Sequence, residues 1–182
     1  FYWRPFEVVD GVVCSSIFPD ATIYCSTTSD PDLGLHSQIT WNGYSFGVLP
    51  GKAHYPMVAV TWYGALRYCH WRSAMEGLPG CSLYGPPCYA NGGYRLPTEA
   101  EWEKAARGGV AGRRFPWADV DHIQHTRANY YSLPDYAYDD SPTRGYHPMF
   151  LSDSMPFTSW RGALPANDYG LHDMAGNIWE WC

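Results

Sequence analysis

From residue 110 to the C-terminal end the chain shows no convincing helical periodicity. About seventy consecutive residues read as turns and short extended pieces, a length uncommon inside a compact domain. They include Phe115-Pro-Trp117, Asn129-Tyr-Tyr131, Asp139-Asp-Ser-Pro142 and Gly170-Leu-His-Asp173. Backbone that pairs with no helix or strand must be fixed by something else, and bound cations are the natural candidate. Composition points the same way. The 182 residues include 18 Gly and 15 Pro, aromatic residues reach 17%, and charged residues only 16%, against about 25% in ordinary domains. This excludes a disordered acidic tail, a coiled coil and a Lys/Glu-rich bundle. The length suits one domain, and such a domain buries roughly 70% of its unfolded surface.

The net charge of −6, with no basic run longer than Arg113-Arg114, argues against nucleic acid or an anionic membrane as partner. No stretch approaches the ~18 apolar residues of a membrane helix, so no membrane insertion is expected. No signal peptide is visible. The chain starts at Phe1 rather than Met and ends at Cys182, straight after a Trp-Glu-Trp run, and is expected to be a fragment. Its cysteines stand at 14, 25, 69, 81, 88 and 182, without Cys-x-x-Cys or zinc spacing. Cys81 and Cys88 flank a Gly-Pro-Pro turn and either close a short disulfide loop or stay free thiols. Cys69 falls on the apolar side of a helix and reads as packing.

Residues 1–53 are the least legible. Val8-Val9 and Val12-Val13 suggest strands, residues 26–32 a loop, and Asn42-Gly43 a turn between aromatic residues. From His54 the text sharpens. Met57–Val60 reads as extended, and Thr61 is a good N-cap. Trp62, Ala65, Leu66 and Cys69 then recur at helical spacing, giving a helix over about 62–76 that Gly77 stops. A Gly/Pro/Tyr-rich loop follows over 78–94. Thr98 and Glu101 form a capping box for a second helix, which Gly108-Gly109 ends.

The run Gly93-Tyr-Arg-Leu-Pro-Thr-Glu-Ala-Glu-Trp-Glu-Lys-Ala-Ala-Arg-Gly-Gly109 resembles the formylglycine-generating enzyme family, also called sulfatase-modifying factors. The resemblance continues through Arg114-Phe-Pro-Trp117, Ala128-Asn129 and Asn167-Asp-Tyr-Gly-Leu-His-Asp-Met-Ala-Gly-Asn-Ile-Trp-Glu-Trp181. Upstream, 54–63 looks like the family's strand-to-helix entry. The similarity covers about 54–182, leaving 1–53 as a poorly matched N-terminal part of the same domain. There, Tyr44-Ser-Phe-Gly and Gly51-Lys-Ala look like a bacterial subgroup that also carries the motif at 138–148. The resemblance implies an α+β, C-type-lectin-like fold with two main helices, small twisted antiparallel sheets, much irregular loop and structural calcium.

By resemblance, Asp173, Gly176, Ile178 and Glu180 match one calcium site. Two carboxylates and two carbonyls from a Gly-containing turn are the hard oxygens Ca²⁺ takes. The alternative is a buried strand whose Glu180 meets an Arg, or Asp173 capping a turn. A second calcium site matches Asn129, Tyr130, Asp139 and Ser141, with Asp140 as an alternative register for Asp139. Its alternative is a self-capping Asx turn. His122-x-x-His125 and the scattered His54, His70, His147 and His172 read as solvent-facing. An iron-dependent sulfoxide synthase shares the domain type, but its ligand histidines lie largely on an additional helical domain. The family's copper(I)-binding cysteine pair lies after an Arg-Gly-Gly-Ser-Trp-like run that this chain is expected not to reach. No catalytic residue is therefore assigned. Trp41, Trp62, Trp102, Trp117, Trp160, Trp179 and Trp181 read as core more readily than as a ligand groove. Two departures stand out: His172 replaces the family's Tyr, and Ala118 its Gly. If that glycine has a positive φ, Ala118 strains the turn by about 1 kcal/mol.

The resemblance implies O₂-dependent oxidation of a cysteine in a sulfatase-type polypeptide to formylglycine, with copper in the full-length enzyme. The competing readings are a non-catalytic calcium-stabilised lectin-like binding module and a nonheme iron sulfoxide synthase-type domain.

Overall fold

A computed structural model describes residues 6–15, 23–80, 92–151 and 155–182. The Cys81–Cys88 loop lies outside the described residues. The chain forms two compact units. The first comprises residues 1–50, 57–97 and Trp181; the second comprises 51–56, 98–180 and Cys182.

In the first unit, β1 (Phe6–Val9), β2 (Val12–Ser15) and β3 (Ile23–Ser26) form an antiparallel sheet in sequence order. Asp10 and Gly11, both at positive φ (48° and 82°), close the β1–β2 hairpin. Two left-handed residues in a row suit the right-handed twist of the flanking strands. The Gly11 carbonyl accepts from both the amide and the hydroxyl of Thr27, each at 2.8 Å. β4 (Ile39–Trp41) and β5 (Phe46–Val48) form a second antiparallel pair around the Asn42-Gly43 turn. The Asn42 side chain accepts from the amides of Tyr44 and Ser45, both at 2.9 Å.

Helix α1 (Trp62–Met75) starts where Thr61 predicts. The Thr61 hydroxyl accepts from the Gly64 amide at 3.1 Å and donates to the Ile23 carbonyl at 2.5 Å. The Thr61 amide donates to the Tyr24 carbonyl at 2.9 Å. One residue thus caps the helix and ties it to β3. Gly64 faces the same strand: a Cβ there would sit 2.1 Å from the Tyr24 carbonyl oxygen. The extended run before the helix is shorter than its sequence suggests, reduced to one bridge between Val60 and Cys25. Glu76 caps the C-terminal end and Gly77 is left-handed, at φ 67°.

In the second unit, α2 (Glu99–Arg107) carries the full capping box. The Glu101 amide donates to the Thr98 hydroxyl at 3.3 Å, and the Thr98 amide to Glu101 Oε2 at 2.8 Å. Gly108 at φ 57° ends the helix. Among the described residues, the rest of the unit has only isolated bridges, Ile123–Asp139, Asn129–Gly176 and Ser132–Gly145. A ladder of rings runs from its interior to its surface. His125 contacts Tyr130 and His147 (both 4.9 Å between centroids), His147 contacts Phe150 (4.5 Å), and Phe150 contacts Trp160 (5.4 Å). Phe150, at the middle, is buried.

Two expectations are corrected. The tryptophans are not the core: none of the seven is buried, and Trp62, Trp160, Trp179 and Trp181 are exposed. Among the described residues the buried apolar side chains are smaller, chiefly Val13, Leu66, Ile123 and Leu164 beside Phe150. Ala118 does not have a positive φ, so the strain that a left-handed turn would impose is absent. Both helices, the small antiparallel sheets and the long irregular segment make the fold α+β.

Replacing Gly64 with Ala is expected to cost about 3 kcal/mol, because the added methyl meets a backbone oxygen instead of a flexible side chain. Urea denaturation of G64A and of the control G80A, where the backbone is not left-handed and a Cβ makes only ordinary contact with the His70 ring, 3.6 Å away, measures the difference.

Candidate functional site

The long segment of the second unit is organised by one carboxylate. Asp139 has 2% of its side chain exposed. Its Oδ1 accepts from the Tyr130 hydroxyl (2.6 Å) and the Ser141 amide (3.1 Å). Its Oδ2 accepts from the Ser132 hydroxyl (2.7 Å) and the Leu133 amide (3.1 Å). Arg144 Nη1 completes the set, 3.1 Å from Oδ1, and also donates to Ser132 Oγ at 3.0 Å. Burial alone would raise the Asp139 pKa. The bonds from Tyr130, Ser132 and the two amides outweigh it and hold the carboxylate below its usual value. The same environment pushes Tyr130 up to about 12, first by burial and then by the Asp139 hydrogen bond.

A buried histidine pair lies beside this hub. His125 and His147 are both buried, so the solvent-facing reading does not hold for them. Sequence could not find two of their partners, a carbonyl 22 residues away and a hydroxyl 18 residues away. His147 Nδ1 accepts from the Met149 amide at 3.2 Å, so its proton sits on Nε2 and bonds the His125 carbonyl at 2.6 Å. His125 is held between the Tyr130 carbonyl (Nε2, 3.1 Å) and the Thr143 hydroxyl (Nδ1, 2.6 Å). Burial lowers the His147 pKa; the hydrogen bond to the His125 carbonyl works against this and the His125 ring adds to it, and the net direction is down.

The two proposed calcium groups meet at one point. Asn129, from the second group, pairs with Gly176, from the first. A Cβ on Gly176 would sit 2.3 Å from the Asn129 carbonyl oxygen, so only glycine fits. The Asn177 amide donates to that carbonyl at 2.6 Å. The Asn129 side-chain amide donates to the Phe157 carbonyl (2.9 Å) and to Asn177 Oδ1 (3.1 Å). Asn177 Oδ1 also accepts from the Ser159 amide at 2.8 Å. Asn177 is a fastening residue that the sequence reading missed. Its only local signal is an Asn after Gly, a residue type that tolerates the left-handed φ of 69° found there.

The first group fits a hard cation in its donor type. Asp173 Oδ2 accepts from the Gly162 amide at 2.8 Å, whereas its buried Oδ1 has no hydrogen-bond partner. Asp173, Gly176 and Asn177 all have positive φ (60°, 78° and 69°). The Gly176 carbonyl takes one bond, from the Ile178 amide at 3.0 Å, which leaves a lone pair. Glu180 is engaged through Oε2 by the Trp102 indole N–H at 2.6 Å. The second group, as folded, does not fit. Both Asp139 oxygens are filled by donors, one of them a cation. Among the described residues, no three His, Cys, Asp or Glu side chains converge on one point.

Cys14, Cys25 and Cys69 do not fit a copper-thiolate centre. None of the three is in a disulfide. Burial raises the Cys14 and Cys69 thiols and pushes Cys25 up to about 11. A soft-metal site or nucleophile needs the opposite.

Comparison with known proteins completes the picture. Residues 36–182 match the Sulfatase-modifying factor enzyme 1-like domain. This chain belongs to the sulfatase-modifying factor family. The match begins at His36 and takes in the β4–β5 hairpin and Tyr44-Ser-Phe-Gly, ahead of where the motifs become clear in sequence. Relatives carry different names. The chain is 32% identical to the formylglycine-generating enzyme of Streptomyces coelicolor over 143 residues, 74% of this chain and 33% of that protein. It is 35% identical to the inactive C-alpha-formylglycine-generating enzyme 2 of Bos taurus, over 71% of this chain and 33% of that protein. It is also 38% identical to the serine/threonine-protein kinase pkn1 of Chlamydia pneumoniae, over 73% of this chain and 14% of that protein. The chain thus spans a third or less of these relatives.

His147 gives this sulfatase-modifying-factor domain a defined pH response. The folded state lowers the His147 pKa, so the stabilisation is complete above the unfolded value of about 6.5. It is lost as pH falls through the folded value. The melting midpoint is expected to drop as pH is lowered below about 6.5, and His147→Gln, which keeps a donor and an acceptor, to flatten that limb. Thermal melts from pH 8 to about pH 5 test this; parallel curves for the two proteins would contradict it.

Proposed function

We propose that this chain is the framework part of a protein that oxidises a cysteine of a sulfatase-type polypeptide to formylglycine, using O₂. The supporting observation is the similarity to the Streptomyces coelicolor formylglycine-generating enzyme, 32% identical over 143 residues. Copper would supply the oxygen chemistry in the full protein, and none of the described residues is assigned to hold it. Cys14, Cys25 and Cys69 are packing groups. In the full-length protein, Cys25→Ser and Cys69→Ser are expected to leave aldehyde formation on a sulfatase-type cysteine peptide within about twofold of wild type. Mass spectrometry after hydrazide trapping measures it. Absence of aldehyde from the wild-type protein would remove the oxidase reading, and loss in either variant would return catalysis to these thiols.

The second reading is a non-catalytic binding module. It is favoured by a cleft of about 760 Å³ in the first unit, lined by Trp62, Tyr63, Trp181, Leu33 and Asp30. Its aromatic rim is open to solvent, and the similarity to an inactive relative is of the same order as to an active one.

We further propose that structural Ca²⁺ sits on the first group, held by the Asp173 and Glu180 side chains and the Gly176 and Ile178 carbonyls. The open Asp173 Oδ1 supports this choice over the Asp139 group. Millimolar Ca²⁺ is expected to raise the melting midpoint by about 5 °C over chelator, and Asp173→Asn to abolish that shift. Equal melts in calcium and chelator would sink the assignment.

A further inference from the structure

The C-terminal end of α2 opens into a cleft of about 830 Å³. Lys104, Arg107, Arg113 and Arg114 line it, against the carboxylates of Glu103 and Asp121. Four cations therefore face two anions in a chain whose net charge is −6. Arg107 grips Glu103 and donates to the Arg113 carbonyl at 2.8 Å. Arg114 lies 3.5 Å from Asp121 and over the Tyr138 ring. Lys104 and Arg113 are exposed and have neither a hydrogen bond nor an ion pair from their side chains.

Helix capping does not account for them. Cations in a last turn normally complement exposed helix carbonyls. Here the Asn167 side-chain amide already donates to the Ala105 and Ala106 carbonyls, at 2.8 and 3.1 Å, and Gly108 supplies the left-handed cap. Arg113 and Arg114 lie beyond the helix altogether. A second cavity, of about 420 Å³, shares Glu103, Arg107, Arg113 and Arg114 with the first. Its further walls are apolar, including Trp102, Phe115, Ile123 and Met174. The basic rim thus runs directly into an apolar floor.

We infer that this cleft binds an extended polypeptide segment carrying acidic side chains next to apolar ones. The acidic side chains meet Lys104 and Arg113, whose charges are uncompensated, and the apolar ones enter the Phe115–Met174 cavity. The two carboxylates already held by Arg107 and Arg114 show that the rim geometry suits carboxylate partners. The inference is independent of the oxidation chemistry, because it concerns binding alone.

The test uses the 182-residue protein and a fluorescein-labelled peptide of four glutamates followed by two leucines, with anisotropy as readout. Saturable binding is expected. Lys104→Gln/Arg113→Gln should weaken it roughly tenfold with the melting midpoint unchanged. Arg113→Gln alone should weaken it by less, and keeps the test open if the double variant does not fold. Arg161→Gln, an exposed cation outside the cleft, should leave it unaltered. Peptides with glutamine for glutamate, or serine for leucine, should each bind more weakly. The inference is overturned if both cleft variants bind as wild type, or if Arg161→Gln weakens binding equally. It also fails if sodium sulfate displaces the peptide beyond sodium chloride of matched ionic strength, which would mark a site for small oxyanions.

Discussion

The second unit depends on a single buried carboxylate. Loops without regular hydrogen bonding still have to satisfy their donors, and a buried charge without partners is too costly to keep. Asp139 resolves both demands together. It gathers the amides of Leu133 and Ser141, the hydroxyls of Tyr130 and Ser132, and the Arg144 guanidinium. The donors come from two stretches, 130–133 and 141–144, so one side chain fixes the segment from 130 to 144. The motif at 138–148 acquires a physical meaning from this. Its Asp139, Ser141, Thr143, Arg144 and His147 all enter the hub or the adjoining histidine pair.

What the sequence made legible was local. A Thr with Glu three residues on announces a helix start whatever lies around it, and both the Thr98 capping box and the Thr61 cap stand where they were expected. The Asn42-Gly43 turn is local in the same sense. The remainder depends on partners far along the chain. Nothing near His147 says that its Nε2 proton will meet the carbonyl of residue 125. Nothing near Gly176 says that the Asn129 carbonyl will press against it. The tryptophans misled because large aromatic area was equated with burial, whereas their rings here sit at intermediate or exposed positions around smaller buried groups. The candidate calcium residues were legible through family motifs. Their donors were not, since the state of Asp173 Oδ1 and of Asp139 is decided by folding.

Membership of the sulfatase-modifying factor family fixes a framework more firmly than a chemistry. Relatives of comparable identity include one named for formylglycine generation, one named inactive and one named a kinase. Function on such a frame is carried by side chains at its surface. The basic cleft beside α2 is one region where those side chains depart from the character of the chain as a whole, which is acidic.

The interior has a thermodynamic consequence. Among the described residues, buried polar side chains outnumber buried apolar ones, and Thr27, Ser15, Ser73, Ser132 and Ser159 are among the most enclosed. Unfolding such an interior hydrates hydroxyls and amides as much as hydrocarbon. Apolar exposure raises the heat capacity of the unfolded chain, while polar exposure lowers it. The heat-capacity increment should therefore fall below the usual value of about 12–15 cal/mol/K per residue. A smaller increment flattens the dependence of stability on temperature. The domain would then gain little stability on moderate cooling and resist cold denaturation better than an oil-filled domain of equal size.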